Sequence, residues 1–148
     1  MNKTQKIILL TSVIFTIASW LYVLFNYSAM PNEIVGHMNF KGDVNRYDDK
    51  STLWFVLTIF TAIQFLIFWI SQKQIASNYG LKNIDVQKTI TLYTLPYISF
   101  IMIIVILGII KKTQNLLFDT SWFIYAVIFA TVLFLITLFS FIYKNLTS

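Results

Sequence analysis

The stretch LWFVLTIFTAIQFLIFWI, residues 53–70, contains no acidic or basic side chain. A helix that is apolar on all its faces must be covered on all its faces, either by protein or by lipid. A chain of 148 residues is too short to cover it with protein, because small domains bury only about two-thirds of their surface. A helix of about 20 predominantly apolar residues does cross a bilayer core. The stretch therefore predicts a transmembrane helix.

Three further stretches have the same character, and together they set the predicted fold. They cover residues 7–25, 90–110 and 122–143, and they also lack acidic and basic side chains. Backbone groups in hydrocarbon must bond within their own segment, so each stretch is expected to be helical. We predict an all-α membrane protein, a single membrane domain over residues 1–148 with four transmembrane helices in a small bundle.

The composition of the whole chain excludes several classes of protein. It is 57% hydrophobic and 11% charged, whereas soluble domains contain about 25% charged residues. Cysteine is absent and histidine occurs once, so neither a disulfide framework nor a multi-histidine zinc site is expected within one chain. The net charge of +5 comes from basic residues at the edges of the apolar stretches. Such residues indicate contact with membrane lipids and not with nucleic acid.

The number of spans and the basic residues predict a topology. Four spans place both termini on one side, together with the connection between the second and third spans. That side has six basic residues and the opposite side has five. The first helix, which often decides the orientation, follows Lys3 and Lys6. We therefore expect a multi-pass protein with both termini in the cytoplasm and residues 26–52 outside.

Residues 26–52 form the longest polar connection between the spans, and their sequence predicts an ordered loop. Pro31 lacks a backbone N–H and should end the first helix. Gly36 and Gly42 allow turns with positive φ. Loops carry functional residues more often than the scaffold does, so this loop is the first place to look for a site.

Within the loop, residues 34–40 are predicted to run extended. Alternation along an extended chain would place His37 and Asn39 on one face. A turn at Gly42 and Asp43 would then return the chain to the second helix.

Residues at the remaining helix ends give three smaller predictions. Asp49 or Ser51 is expected to cap the second helix, and Lys50 to pair locally or to reach lipid headgroups. Lys111 and Lys112 should extend outward from the end of the third span. A turn is predicted at residues 78–80, which read Asn-Tyr-Gly.

The loop resembles the domain of unknown function 1648 family. The residues that carry the resemblance are Tyr27, Pro31, Ile34, His37, Asn39, Gly42, Tyr47 and Lys50. The chain departs from the family pattern at Val35 and Val44, where proline is usual, and at Asn45, where aspartate is usual. The resemblance implies a short four-span member in the inner membrane of a bacterium. It also implies a relationship to SdpI-like immunity proteins, whose partner is a secreted toxin.

The polar residues of the loop allow two interpretations. In the first, they form a binding surface for an extracytoplasmic peptide toxin or a membrane partner protein. This surface would comprise His37, Asn39, Gly42, Asp43, Tyr47 and Lys50. In the second, His37 and Asn39 only satisfy backbone groups of a loop packed on the helix ends. A metal could at best use His37 and Asp43, which are too few ligands for a firm site.

Two residues within the spans suggest an alternative function. Gln64 and Pro96 could line a path in a small transporter or transport-complex subunit. The commoner uses of such residues are an interhelical hydrogen bond and a kink that neighbouring hydroxyls stabilise. Self-association into a homo-oligomer stays open.

Catalytic motifs are absent from the sequence. It contains no Gly-x-Ser-x-Gly elbow, no phosphate-binding glycine loop and no His-Glu-x-x-His helix. We predict no enzymatic activity and no cofactor, with a metal-assisted hydrolase at His37 and Asp43 as the remaining alternative. The leading hypothesis is a binding or interaction protein whose first loop is its functional surface, with toxin immunity or signalling as its most specific form.

Overall fold

The computed structural model describes residues 1–39, 42–72 and 84–146, and these form four long helices and a β-hairpin. In chain order the elements are α1 (Lys3–Tyr27), β1 (Glu33–Met38), β2 (Val44–Asp49), α2 (Thr52–Gln72), α3 (Ile84–Gln114) and α4 (Ser121–Leu146). All four helices are long and apolar enough to cross a membrane, which confirms the predicted all-α membrane fold. The turn predicted at residues 78–80 and the last residue of the predicted extended segment, Phe40, lie outside the described residues.

Helix α3 is the centre of the bundle. Helices α1, α2 and α4 all pack against it, and α1 and α2 touch each other much less. In the main core, Met102 and Ile106 of α3 meet Val23 of α1 and Leu57 of α2, and all four side chains are fully buried. Because α3 packs against all three other helices, it is also the most buried of the four.

The outer faces of α1, α2 and α4 are apolar and uncovered. Phe65 of α2 is 70% exposed and Phe129 of α4 is 69% exposed, and many aliphatic neighbours are similar. Exposing this much apolar surface to water would cost about 25 cal/mol for each Å². Lipid removes that cost, so the chain is a multi-pass membrane protein.

Helix α3 extends beyond the predicted span of residues 90–110 at both ends. Its additional first turns contain Asp85 and Lys88, which are too polar for the bilayer core. They stay helical because the buried Gln5 of α1 donates to the Thr89 hydroxyl at 3.0 Å and to the Asp85 carbonyl at 3.3 Å. These polar contacts support the first turns of α3 beyond the apolar stretch.

The two helices that begin at the hairpin end of the bundle start with the same turn. Asp49 Oδ1 accepts a hydrogen bond from the Ser51 N–H before α2, and Asp119 Oδ1 accepts one from the Ser121 N–H before α4, both at 2.8 Å. Asp49 therefore bonds to the turn that precedes α2, and the cap predicted for Asp49 or Ser51 stays a prediction. Hydrogen bonds from the two serines lower the pKa of both carboxyl groups below the usual value.

Lys112 does not extend outward from α3 as predicted. Its side chain is only 8% exposed, and its Nζ donates to the Phe118 carbonyl at 3.0 Å. The chain between α3 and α4 folds back over the lysine and supplies that carbonyl. The ammonium group consequently lies at the C-terminal end of α3, where the helix dipole favours a cation.

Candidate functional site

The β-hairpin lies across the end of the bundle and is fixed to α3. Strands β1 and β2 pair antiparallel, with Val35 opposite Tyr47. Ile34 and Val35 are each 1% exposed, and Ile34 joins the main core. The Val35 N–H donates to the hydroxyl of Thr113, near the end of α3, at 3.0 Å. The hairpin is thus an integral part of the fold.

Asn39 and Asp43 close the tip of the hairpin. The Asn39 side chain donates to the Asp43 carboxylate at 2.9 Å and accepts from the Asp43 N–H at 3.0 Å. Gly42 lies between them with φ of +83°, a conformation that favours glycine. A Cβ atom at Gly42 would lie 2.5 Å from the Thr120 hydroxyl oxygen, so the tip rests closely on the start of α4. Asn39, Gly42 and Asp43 therefore shape the turn.

Gly36 has a different role from the predicted one. It lies within β1, and in the described part of the chain Gly42 is the glycine with positive φ. A Cβ atom at Gly36 would overlap the carboxylate of Asp48 on β2. That carboxylate also accepts a hydrogen bond from Arg46 at 2.9 Å. Glycine is needed at this position for space, and not for a turn.

Tyr27 and Lys50 hold the base of the hairpin. The Lys50 ammonium lies 5.0 Å from the centroid of the Tyr27 ring, a cation–π contact. Tyr27 in turn packs on Trp54, with ring centroids 5.1 Å apart, and Trp54 lies 5.9 Å from Trp20. The Lys50 N–H also donates to the Asn32 carbonyl at 2.8 Å. Lys50 therefore joins the end of α1 to the start of α2, through a ring on the far side of the hairpin and not through a neighbouring residue.

His37 and Tyr47 are displayed on the outside of the hairpin. His37 is exposed, and its Nδ1 lies 2.6 Å from Oδ1 of Asn45 on the opposite strand. Tyr47 is 50% exposed. The predicted placement of His37 and Asn39 on one face assumes regular alternation along the strand. Register shifts on both sides of His37 interrupt that alternation. We call the exposed side chains of His37, Asn45, Arg46 and Tyr47 the hairpin surface.

The hairpin surface offers hydrogen bonding and aromatic contact, and it shows no metal centre. His37 pairs with Asn45, whereas Asp43 pairs with Asn39, so the structure does not bring His37 and Asp43 together as ligands. Across residues 1–39, 42–72 and 84–146, no group of three His, Cys, Asp or Glu side chains could hold a metal ion. Asn45 and Arg46 are the two members of the surface that the sequence interpretation missed, although the departure of Asn45 from the family pattern had marked its position.

Gln64 is hydrogen-bonded to hydroxyl groups of two other helices. Its Oε1 accepts from Thr16 at 2.7 Å, from Ser99 at 2.9 Å and from Ser12 at 3.3 Å. Ser12 and Ser99 also lie 2.7 Å apart, oxygen to oxygen. This polar cluster of Ser12, Thr16, Gln64 and Ser99 links α1, α2 and α3, which is the commoner of the two uses predicted for Gln64.

Pro96 lies beside a cavity of about 340 Å³ between α1, α3 and α4. The cavity is lined by aromatic and aliphatic side chains and opens to the surroundings of the bundle. It is separate from the hairpin, because its lining residues belong to the spanning helices.

Comparison with known families supports the resemblance. Residues 14–69 match the family described as Domain of unknown function (DUF1648). The matched segment begins within α1, includes the whole hairpin and Gln64, and ends close to the end of α2. No curated protein and no solved structure matches the chain.

Proposed function

Since residues 14–69 match the DUF1648 family, we propose that the chain is a membrane-anchored binding protein whose hairpin surface holds an extracytoplasmic partner. The observation that carries the proposal is the exposure of His37 and Tyr47 on a hairpin that is otherwise fixed to the bundle. The partner is a peptide or a membrane protein, and protection against a secreted toxin is the most specific form of this function.

The residues of the family pattern divide into two groups in the structure. Ile34 is buried in the core, Gly42 forms the turn, and Lys50 binds the Tyr27 ring. These residues have evident roles in folding. His37 and Tyr47 are exposed, and although His37 bonds to Asn45 across the strands, both side chains present a face that is open to a partner.

The composition of the hairpin surface suits a protein or peptide partner. Tyrosine and arginine are enriched among the residues that dominate binding energies, because they combine large contact area with hydrogen bonding. Tyr47 and Arg46 supply both here, and the His37–Asn45 pair adds polar groups beside them. A surface that is ordered before binding loses less conformational entropy on association. The buried Ile34 and the bond from Val35 to Thr113 provide that order.

Site-specific photo-crosslinking in the native membrane tests the proposal. A photoreactive amino acid in place of Tyr47 should give a discrete protein or peptide adduct. The matched control is the same amino acid in place of Leu117, which is 94% exposed at the same end of the bundle. His37→Ala should reduce the Tyr47 adduct at least tenfold, while Glu33→Ala at the exposed base of β1 should not. The proposal would be contradicted if the same adducts formed at Tyr47 and Leu117, or if His37→Ala left the yield of the Tyr47 adduct unchanged.

The immunity form of the proposal has its own test. In a strain exposed to a secreted killing peptide, loss of the chain should raise sensitivity, and Tyr47→Ala should act like the loss at normal membrane levels. Survival that is the same with and without the chain would reject immunity, and an adduct at Tyr47 would then favour another partner.

The polar cluster within the spans supports a second candidate, a small transporter. Gln64 is 8% exposed, and its amide oxygen accepts hydrogen bonds from three hydroxyl groups. A polar substrate that displaced the Gln64 side chain would meet the same three donors. Flux into liposomes that disappears with Gln64→Leu would favour this candidate. Flux no greater than in protein-free liposomes would reject it.

A further inference from the structure

The cavity between α1, α3 and α4 is a groove in the membrane-spanning part of the bundle. Phe15 of α1 and Phe100 of α3 form one wall, with ring centroids 5.7 Å apart. The other wall is Tyr97 of α3 stacked on Phe134 of α4 at 4.7 Å. The groove holds about 340 Å³.

Two features of the bundle create this space. Helix α4 packs mainly on α3, which leaves a gap between α4 and α1. Ala130 on α4 and Pro96 on α3 line that gap with small or compact side chains. Pro96 also lacks the N–H that would bond to the Leu92 carbonyl, so regular helical bonding is interrupted beside the groove.

Two of the hydroxyl groups that line the groove, those of Tyr97 and Thr137, are hydrogen-bonded within the protein. The Tyr97 hydroxyl lies 3.0 Å from that of Thr131, and the Thr137 hydroxyl donates to the Leu133 carbonyl at 2.9 Å. The groove therefore offers apolar contact to an occupant. A transmembrane helix is about 10 Å across with its side chains, which is too thick for a space of this volume. An extended hydrocarbon chain is the occupant that fits.

The charges at one end of the bundle select the class of lipid. Among the described residues, the end that holds both termini has four lysines and one aspartate, whereas the hairpin end has four basic and five acidic residues. The groove approaches the lysine-rich end, where Tyr93 packs on Phe141 at 5.3 Å. Lys144 follows Thr137 by seven residues, and so lies on the same face of α4, near the headgroups.

From these observations we propose that the groove binds one acyl chain of an anionic phospholipid from the leaflet on the side of the termini. The chain would lie between Phe100 and Phe134, and the phosphate would lie near Lys144. The proposal does not depend on the partner of the hairpin surface, because the two sites are at different depths and on different elements.

Native mass spectrometry of the full chain tests the proposal. The protein is delipidated in detergent, incubated with vesicles of phosphatidylcholine and phosphatidylglycerol in equal parts, and extracted again. We expect one phosphatidylglycerol retained for each chain. Ala130→Trp should fill the groove and reduce the retained fraction at least fivefold. Ile136→Trp is the matched control, because Ile136 is 58% exposed on α4 outside the groove, and it should retain the lipid.

A second measurement keeps the test valid if Ala130→Trp does not fold. Phosphatidylglycerol with a diazirine in the middle of one acyl chain is photolysed after extraction of the wild-type complex. Labels should fall on Phe100 and Phe134 in the groove, and not on Leu135 or Phe139 on the exposed face of α4. Retention of no lipid, labels spread evenly over α4, or equal retention of phosphatidylcholine would each overturn the proposal.

Discussion

Lys50 shows how a single side chain fixes the hairpin to the bundle. Its ammonium lies over the Tyr27 ring, and its backbone N–H bonds to Asn32. The sequence interpretation gave Lys50 a local role, yet the ring could not be named as its partner. The two residues are separated by the entire hairpin, and only the folded strands bring them together.

Replacing Lys50 by methionine should destabilise the protein while keeping the length of the side chain. A cation–π contact at a partly exposed site contributes about 0.5–2 kcal/mol, so the melting temperature in detergent should fall measurably. Lys50→Arg should retain most of the stability. The matched control is Lys111→Met, which removes an exposed lysine at the same end of the bundle. Equal melting temperatures for Lys50→Met and Lys111→Met would show that the cation–π contact does not stabilise the protein.

Gly42→Ala should destabilise the protein more than Gly108→Ala. At Gly42 the positive φ costs about 1–2 kcal/mol for a residue with a Cβ atom, and the added atom also approaches Thr120 at 2.5 Å. At Gly108 the added atom would meet the Phe123 ring at 3.4 Å or more, which leaves its neighbours nearly undisturbed. Thermal unfolding of both variants and of Gly42→Ala with Thr120→Gly checks this. If removing the Thr120 side chain restores none of the loss, the contact between tip and α4 is not significant.

At the scale of elements, the helices and the hairpin differ in how far the sequence predicts them. The four helices follow from uninterrupted apolar stretches, which is local information. The extended segment at His37 was also predicted, but its register shifts and its pairing with Asn45 depend on β2. Lys112 and Gly36 have roles that depend on other elements, the turn after α3 and the Asp48 side chain. Contacts between elements require the folded arrangement, so the sequence predicted the four helices and the first extended segment, but not β2 or most of the contacts between elements.

The turns that start α2 and α4 should make stability depend on pH in the acid range. The lowered pKa of Asp49 and Asp119 means that both carboxylates stabilise the folded state above their usual pKa of 3.8. This stabilisation is lost as the pH falls through the lower folded-state values. The double variant Asp49→Asn and Asp119→Asn keeps an acceptor oxygen in each turn. Melting temperatures below pH 4 should therefore fall less steeply for it than for the wild type, and identical slopes would contradict the assignment.

At the scale of the whole molecule, the bundle is organised around α3 and its polar cluster. Gln64→Leu removes the acceptor shared by Ser12, Thr16 and Ser99 and should cost about 0.5–2 kcal/mol, the range measured for hydrogen bonds between membrane helices. Thr58→Val is the matched control on α2, because the exposed Thr58 hydroxyl bonds only to the Trp54 carbonyl of its own helix. Unfolding titrations in mixed micelles measure both. A Gln64→Leu protein as stable as Thr58→Val would mean that the cluster does not hold the helices together.

The measurement that most directly tests the account is the side of the membrane on which the hairpin surface lies. The chain contains no cysteine, so a single introduced thiol reports its own position. We predict that an impermeant maleimide added outside intact cells labels Tyr47→Cys and Leu117→Cys. Thr4→Cys and Asn145→Cys should react only after the cells are opened. Labelling of Tyr47→Cys and Leu117→Cys from opposite sides would contradict the four-span arrangement and the hairpin surface with it.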